Sequence, residues 1–277
     1  MTYRDVLDNR SIAVSTSESP DMPALGLRDE HLRDAMTEIA RHTLALGAKL
    51  VYGGDLRGDG FSRLLFELAA RYRRDTKSQN MVGVTNYLAW PVHIKQELKD
   101  LDETAADLEG TAELRLLDID GKEIGLEERH QLPKQMPTEP EWAKGLSAMR
   151  HTMLAETDAR IILGGRVDKF MGDMPGIAEE ALYSLQDKQP LYILGGFGGC
   201  ARDVAEAIGL LESNSTREWP GREKFGPFKG KGLKNGLSME ENKVLASTPH
   251  IDQAMVLVLR GLTKSKLGAH KGTSARH

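Results

Sequence analysis

The sequence predicts an α/β fold: a Rossmann-like, mostly parallel sheet flanked by helices. Three observations support this prediction. Short apolar runs alternate with segments of helical periodicity over residues 11–85, and the same alternation returns over 159–209. Three of the apolar runs end in a pair of glycines just before the next helix. The connections are short, which favours parallel strands with helices packed on the sheet.

The first half is expected to form a β-α-β-α-β unit. The expected strands are 11–15, 49–52 and 79–85, and the expected helices are 28–46 and 61–74. Gly47 is well placed to end the first of these helices.

Residues 92–157 are predicted to form an inserted, irregular middle segment. Within it we expect a helix over 94–108 and a hairpin over 112–124. Thr138 and Glu141 have the spacing of a capping box, so a helix is expected to begin there and to run to about residue 156.

The second half repeats the α/β alternation and then becomes helical. Strands are expected at 159–163 and 190–194, each followed by a helix. Residues 211–277 are interpreted as a helical extension, in which the Gly-, Lys- and Pro-rich stretch 212–236 forms an exposed loop. The whole chain, 1–277, is expected to be one domain with a core over about 11–210.

Composition excludes several classes of function. The chain has 277 residues, a net charge of −4, an isoelectric point near 6.1 and 5% aromatic residues, which argues against nucleic-acid binding. No apolar run is long enough to span a membrane, so no membrane partner is expected. The single cysteine, Cys200, leaves no disulfide framework, and the eight histidines show no metal-binding spacing. We therefore expect a cytoplasmic protein without a metal or a cofactor.

The glycine pairs are the strongest candidate for a binding site. They are Gly53 and Gly54, Gly164 and Gly165, and Gly195 and Gly196 with the nearby Gly198 and Gly199. Parallel strands bring their carboxyl ends to one edge, where glycine lets the backbone approach a phosphate and the next helix offers free N–H groups. Each pair taken alone is also compatible with a simple tight turn. None matches the dinucleotide fingerprint or the P-loop.

Three motifs resemble the SLOG superfamily, which groups the LOG phosphoribohydrolases, the Smf/DprA proteins and the nucleotide-sensing domains of TRPM channels and bacterial defence proteins. Residues 51–54, Val-Tyr-Gly-Gly, resemble the "YGGG" element of the family. Residues 173–180, Asp-Met-Pro-Gly-Ile-Ala-Glu-Glu, resemble the "PGGxGTxxE" element of LOG proteins after a short deletion, and residues 15–17 resemble the "GSS"-like end of the first strand. The resemblance covers about residues 11–210.

The resemblance implies a nucleotide-derived ligand, of the NAD or ADP-ribose type or a related signal nucleotide. It also implies a homo-oligomer and a sensor role in signalling, with bacterial antiviral defence as its context. The alternative is a LOG-type N-glycosidase, in which Glu180 aligns with the family's catalytic Glu and Arg166 is the candidate Arg. Ile177 replaces the Thr of the LOG element, which moves the expectation from catalysis towards recognition. A DprA-like role in DNA handling is a further alternative, against which the acidic balance and scarce aromatic residues count.

The predicted ligand-binding set collects these strand ends and the start of the helix that follows residue 175. It consists of Ser15, Ser17, Gly53, Gly54, Arg57, Gly164, Gly165, Pro175, Gly176, Glu179, Gly195, Gly196, Gly198 and Gly199. Several members have a structural alternative. Ser15 and Ser17 could cap the first helix, Arg57 could be a plain surface arginine, and Glu179 with Glu180 could only complement the helix dipole.

Overall fold

The structure is a computed structural model that describes residues 6–56, 60–76, 83–213, 217–229 and 232–265. These residues form one seven-stranded sheet in the order β5-β4-β3-β2-β1-β6-β7, in which every neighbouring pair is parallel except β4 and β5. The strands are β1 (Ser11–Ser17), β2 (Lys49–Gly53), β3 (Val84–Leu88), β4 (Ala112–Leu117), β5 (Glu123–Ile124), β6 (Ala159–Gly164) and β7 (Leu191–Leu194). The predicted α/β class, with a mostly parallel sheet, is confirmed.

Ten α-helices lie within the described ranges. They are α1 (Asp29–Ala45), α2 (Phe61–Thr76), α3 (Trp90–His93), α4 (Leu98–Leu108), α5 (Leu126–His130), α6 (Glu139–Ala155), α7 (Gly176–Gln186), α8 (Gly199–Ala207), α9 (Met239–Ser247) and α10 (Ile251–Lys264).

The middle segment is built into the sheet rather than set apart from it. The predicted hairpin is present, and its first strand, β4, pairs in parallel with β3 from Val84↔Ala112 to Leu88↔Leu116. The third strand begins at Val84, five residues later than the start predicted at 79, and residues 77–82 lie outside the described part of the chain. The segment 92–157 therefore supplies two strands to the edge of the sheet as well as the helix α6.

The strand order places a topological switch beside β1. From β1 the chain moves outward through β2, β3 and β4, and it then returns to add β6 on the other side of β1. In open α/β sheets, ligands bind beyond the carboxyl ends of the strands at such a switch point. A binding site in this fold is therefore expected beside the residues that follow β1, β2 and β6.

Helices cover both faces of the sheet. One apolar cluster packs α1, α2 and α10 on one face, and a second joins α7 and α8 to the other. Alternate residues of β6 divide accordingly, because Ile161 and Leu163 belong to the first cluster and Ile162 to the second. On the second face, α6 packs over β2 and β3 through Met149 and Met153.

The stretch 212–236 is an irregular segment, as predicted, but it is not exposed along its whole length. Trp219, Phe225 and Leu233 are buried in the second cluster, and the Leu191 N–H donates to the Leu233 carbonyl at 2.9 Å. Residues 214–216 and 230–231 of this stretch lie outside the described ranges. The predicted exposure was wrong at these positions because a few large apolar side chains anchor a segment whose average composition is polar.

Substitution of Gly196 tests whether this predicted ligand-binding glycine is needed for packing. It follows β7, and a Cβ atom there would overlap the Thr248 carbonyl and lie 2.7 Å from the Pro249 nitrogen. Because backbone cannot move aside as a side chain can, we expect Gly196→Ala to lower the free energy of unfolding by about 1–3 kcal/mol in urea denaturation. Gly125→Ala is the matched control, since Gly125 has a φ of −76° and nothing within 4 Å of such a Cβ. Equal losses in the two variants would contradict the packing role.

His93 couples stability to pH. It is fully buried, its Nε2 donates to the Leu117 carbonyl at 2.8 Å, and burial lowers its pKa from 6.5 to about 4. As the pH falls, His93 is therefore protonated in the unfolded chain before it is protonated in the folded protein. The stability of the folded protein is unaffected by His93 titration above pH 6.5 and decreases as the pH falls towards 4. The pKa difference corresponds to a loss of about 3 kcal/mol in the free energy of unfolding.

The expected result is a smaller acid-induced loss of stability in His93→Gln than in the wild type, measured by urea unfolding at pH 7 and pH 4.5. Glutamine keeps a donor for the Leu117 carbonyl but has no proton to gain. His42→Gln, at a half-exposed position on α1, should follow the wild-type curve. A His93→Gln curve parallel to the wild type would contradict the assignment.

Candidate functional site

A cleft opens at the carboxyl ends of β1, β2 and β3. Its volume is about 880 Å³, and a smaller cavity of about 230 Å³ adjoins it towards α7. The two share the lining residues Thr16, Ser17, Tyr52, Gly53, Leu146 and Arg166. The site therefore lies at the topological switch and extends from the surface to the start of α7.

Buried polar side chains fix the loop that follows β2. The Asn86 side-chain amide donates to the Gly54 carbonyl at 3.1 Å, and the Ser62 hydroxyl donates to the Asn86 Oδ1 atom at 2.8 Å. A Cβ atom at Gly53 would lie 2.8 Å from the side chain of Met149, and one at Gly54 would meet the Tyr52 ring. Both positions line the cleft, and glycine suits them because helix α6 and the Tyr52 ring approach the backbone closely there.

Helix α6 presents two rows of side chains to the site. Its start is fixed as predicted, by a capping box in which the Thr138 N–H donates to Glu141 at 2.8 Å. Trp142, Leu146 and Met149 recur at helical spacing and line the cleft. Ser147 and Arg150, three residues apart on the adjacent face, reach α7.

Glu179 is one of two buried carboxylates in the first turns of α7. It accepts hydrogen bonds from Ser147 at 2.5 Å and from the Tyr183 hydroxyl at 2.6 Å, and it forms an ion pair with Arg150. Burial, with the hydrogen bond to the Glu179 carboxylate, raises the pKa of the Tyr183 hydroxyl. The hydroxyl therefore stays a donor.

Glu180, the second carboxylate, lines the smaller cavity. Its Oε2 atom accepts a hydrogen bond from Arg160 at 2.6 Å and another from the Ser15 hydroxyl, while its Oε1 atom lies 3.7 Å from the Nε atom of Arg150. Arg160 is fully buried; burial lowers its pKa, and the Glu180 carboxylate opposes that effect. A buried charge of this kind persists only with a partner.

The hydroxyls of β1 divide between this network and the cleft. Ser15 donates to Glu180 and accepts from Arg160 at 2.7 Å, so it positions the carboxylate. Ser17 lines both cavities. Thr16 also lines both, and its buried Oγ1 has no hydrogen-bond partner among the residues that the structure describes.

The predicted glycines at or just after the ends of β6 and β7 lie away from the walls of these two cavities. Gly164 and Gly165 have φ angles of +62° and +98°, and a Cβ at Gly165 would lie 2.5 Å from Ile177. Gly195 packs against the end of α9, and Gly196 packs against the backbone between α9 and α10. The amide of Gly199 donates to the Asp21 carboxylate at 2.9 Å, which Arg217 holds in turn at 2.5 and 2.8 Å. A carboxylate of the chain thus occupies the N-terminus of α8.

The other predicted residues fall into three groups. Gly176 and Arg166 line the smaller cavity, and Arg166 forms an ion pair with Glu18 across the entrance. Pro175 precedes α7 as its N-cap residue. Arg57 lies outside the described ranges. The ligand-binding role of every residue in the predicted set remains a prediction.

Sequence reasoning missed the two arginines of the buried network. Arg160 is the one charged residue in the apolar strand β6, and Arg150 precedes it by ten positions on α6. A charged side chain inside a buried strand signals a partner on the facing helix, because charge is rarely buried unpaired. That signal was present in the sequence at Arg160, and the partner it indicates is the Glu180 carboxylate on α7.

The described part of the chain has neither a metal-binding cluster nor a membrane-spanning helix. Those residues contain no group of three or more His, Cys, Asp or Glu side chains able to hold a metal ion. Nor does any helix among them combine the length and the apolar character that crossing a membrane requires.

The fold and site define a Rossmann-like α/β protein with a cleft at the switch point of its sheet. Residues 6–226 match the family model described as SLOG cluster2, and the chain belongs to this SLOG family. The resemblance drawn from the three motifs is confirmed, and family membership points to a nucleotide-related function. Comparison with curated proteins and with solved structures found no match.

The buried ion pair can be tested by a double-mutant cycle. We expect Arg160→Met to lower the free energy of unfolding by about 3–5 kcal/mol, because it leaves Glu180 short of a partner in a buried site. The combination with Glu180→Gln should cost less than the sum of the single variants, with a coupling of at least about 0.5 kcal/mol in urea unfolding. The exposed pair Arg63 and Glu67, substituted in the same way, should show almost no coupling. Additive losses for the buried pair would contradict the network.

Proposed function

We propose that the protein binds a nucleotide-derived ligand in the cleft at the ends of β1 and β2 and acts as a sensor. The observation that carries the proposal is the position of this cleft at the topological switch, where α/β sheets bind their ligands. Membership of the SLOG family supports a nucleotide as the class of ligand. The resemblance suggests an NAD- or ADP-ribose-type signal and a role in antiviral defence.

The chemistry of the cleft supports an anionic, hydroxyl-bearing ligand. Arg166 stands where the two cavities meet, and Ser17 lines both cavities there. Guanidinium groups bind phosphate bidentately, and hydroxyls bind either phosphate or ribose. The carboxylate of Glu18 pairs with Arg166 in the free protein, so an incoming phosphate would replace it.

The state of the buried carboxylates favours recognition over catalysis. Glu179 and Glu180 both accept hydrogen bonds from guanidinium groups. Neither can take a proton from water without weakening an ion pair. We therefore propose sensing, and not hydrolysis, as the first candidate function.

A ligand panel tests the binding. With AMP, NAD or ADP-ribose at about 100 times its Kd, we expect the Tm of the full chain to rise by about 5–10 °C. Arg166→Ala should reduce the rise by weakening phosphate binding, whereas Arg41→Ala, on the exposed surface of α1, should leave it unchanged. If millimolar concentrations of all three compounds leave the Tm unchanged, the proposed function is wrong.

A LOG-type N-glycosidase is the second candidate, because Glu180 lines the cavity that adjoins the cleft. In that reaction, water forms a bond to the anomeric carbon of the ribose, the bond to the base breaks, and the base leaves with a proton. A carboxylate beside the ribose would stabilise the oxocarbenium-like transition state. Release of free base that Glu180→Gln abolishes, with ligand-dependent Tm shifts retained, would favour the enzyme.

A further inference from the structure

The outer end of the cleft, away from Glu180, is formed by an aromatic side chain with a cation beside it. Trp142 of α6 and Lys95 both line the cleft, and the Lys95 ammonium lies 4.9 Å from the centroid of the indole ring. Cations favour the face of an indole ring. Because Lys95 and Trp142 both line the cleft, the indole face that the ammonium covers is on the cleft side, where a ligand group can reach it.

Trp142 differs from the other tryptophans of the chain. Trp90 and Trp219 are buried, at 8% and 4% exposed, and neither lines the cleft or the smaller cavity. Trp142 is only partly buried. A partly exposed indole on a cavity wall is a surface on which a planar ring can stack.

The indole ring and the guanidinium group occupy different parts of the site. Trp142 lines the cleft but not the smaller cavity, together with Val92 and Lys95. Arg166 lies where the cleft meets the smaller cavity, and Leu146 and Ser17 line both cavities there. This separation of an aromatic ring from a guanidinium group suits a ligand with a planar part and an anionic part.

We propose that Trp142 is the stacking platform for the base of the ligand, which orients the sugar and phosphate towards Arg166 and the smaller cavity. This inference rests on the proposed nucleotide-binding function and adds the direction in which the nucleotide lies. The base displaces the flexible Lys95 side chain from the indole face. Stacking on an aromatic side chain tolerates different bases, so the site selects for a planar ring more than for one hydrogen-bonding pattern.

The test compares ligands with and without a base. Whichever of AMP and ADP-ribose binds the wild type more tightly is titrated by calorimetry, and ribose 5-phosphate serves as the probe without a base. We expect Trp142→Ala to weaken the base-bearing ligand at least about fivefold and to leave ribose 5-phosphate within about twofold. Trp142→Phe should restore most of the affinity, because phenylalanine also offers a ring for stacking.

Tryptophan fluorescence gives an independent readout. The base-bearing ligand should quench the emission of the wild type but not that of Trp142→Phe, and ribose 5-phosphate should quench neither. Phe228→Ala removes a half-buried aromatic side chain outside the cleft and should change neither affinity nor quenching.

The outcomes separate this inference from the proposed function. If Trp142→Ala weakens both probes equally, or weakens neither, while the base-bearing ligand binds the wild type, the stacking role is wrong and nucleotide binding stands. Binding of ribose 5-phosphate with no gain from a base also overturns the stacking role. If none of the probes binds, the proposed function and the stacking role fall together.

Discussion

The buried ion network between α6, α7 and the centre of the sheet is the constraint on which the site depends. Two arginines and two glutamates, Arg150, Arg160, Glu179 and Glu180, lie within it with side-chain exposures of 10% or less. Burying such groups is costly unless each finds a partner. The network therefore fixes how α7 meets β1 and β6, and this in turn shapes the cavity beyond Ser15.

The glycine pairs at three strand ends look alike in the sequence but serve different contacts. Gly53 and Gly54 line the cleft, whereas Gly195 and Gly196 let the end of α9 and the residues that follow it approach the end of β7. At the N-terminus of α8 the chain supplies its own anion, the carboxylate of Asp21. A helix N-terminus attracts negative charge from any source, and here a side chain of the protein itself satisfies that preference.

Local patterns were enough to predict most of the fold, and long-range pairing was not. Alternating apolar runs identified the strands of the sheet, since β1, β2, β6 and β7 each lie within about two residues of their expected positions. The partner of Glu180 could not be read in this way. The guanidinium that reaches Glu180 is that of Arg160, which points to the opposite side of the strand from Ile161 and Leu163. The predicted catalytic arginine, Arg166, lines the same small cavity as Glu180 but pairs with Glu18. Composition also misled at 212–236, where three large apolar side chains outweigh a polar average.

The same network bears on whether the proposed function is sensing or hydrolysis. Catalysis by Glu180 would require its carboxylate to face developing positive charge on a ribose, yet Arg160 and Arg150 already offer it positive charge. The Oε2 atom is held by Ser15 and Arg160, so only the Oε1 atom is left to turn towards a ligand. A ligand that leaves these pairs intact gains a rigid, preformed wall at little entropic cost. A rigid wall favours recognition. Hydrolysis would require the Oε1 atom of Glu180 to act on the ligand while it also interacts with the Nε atom of Arg150, 3.7 Å away.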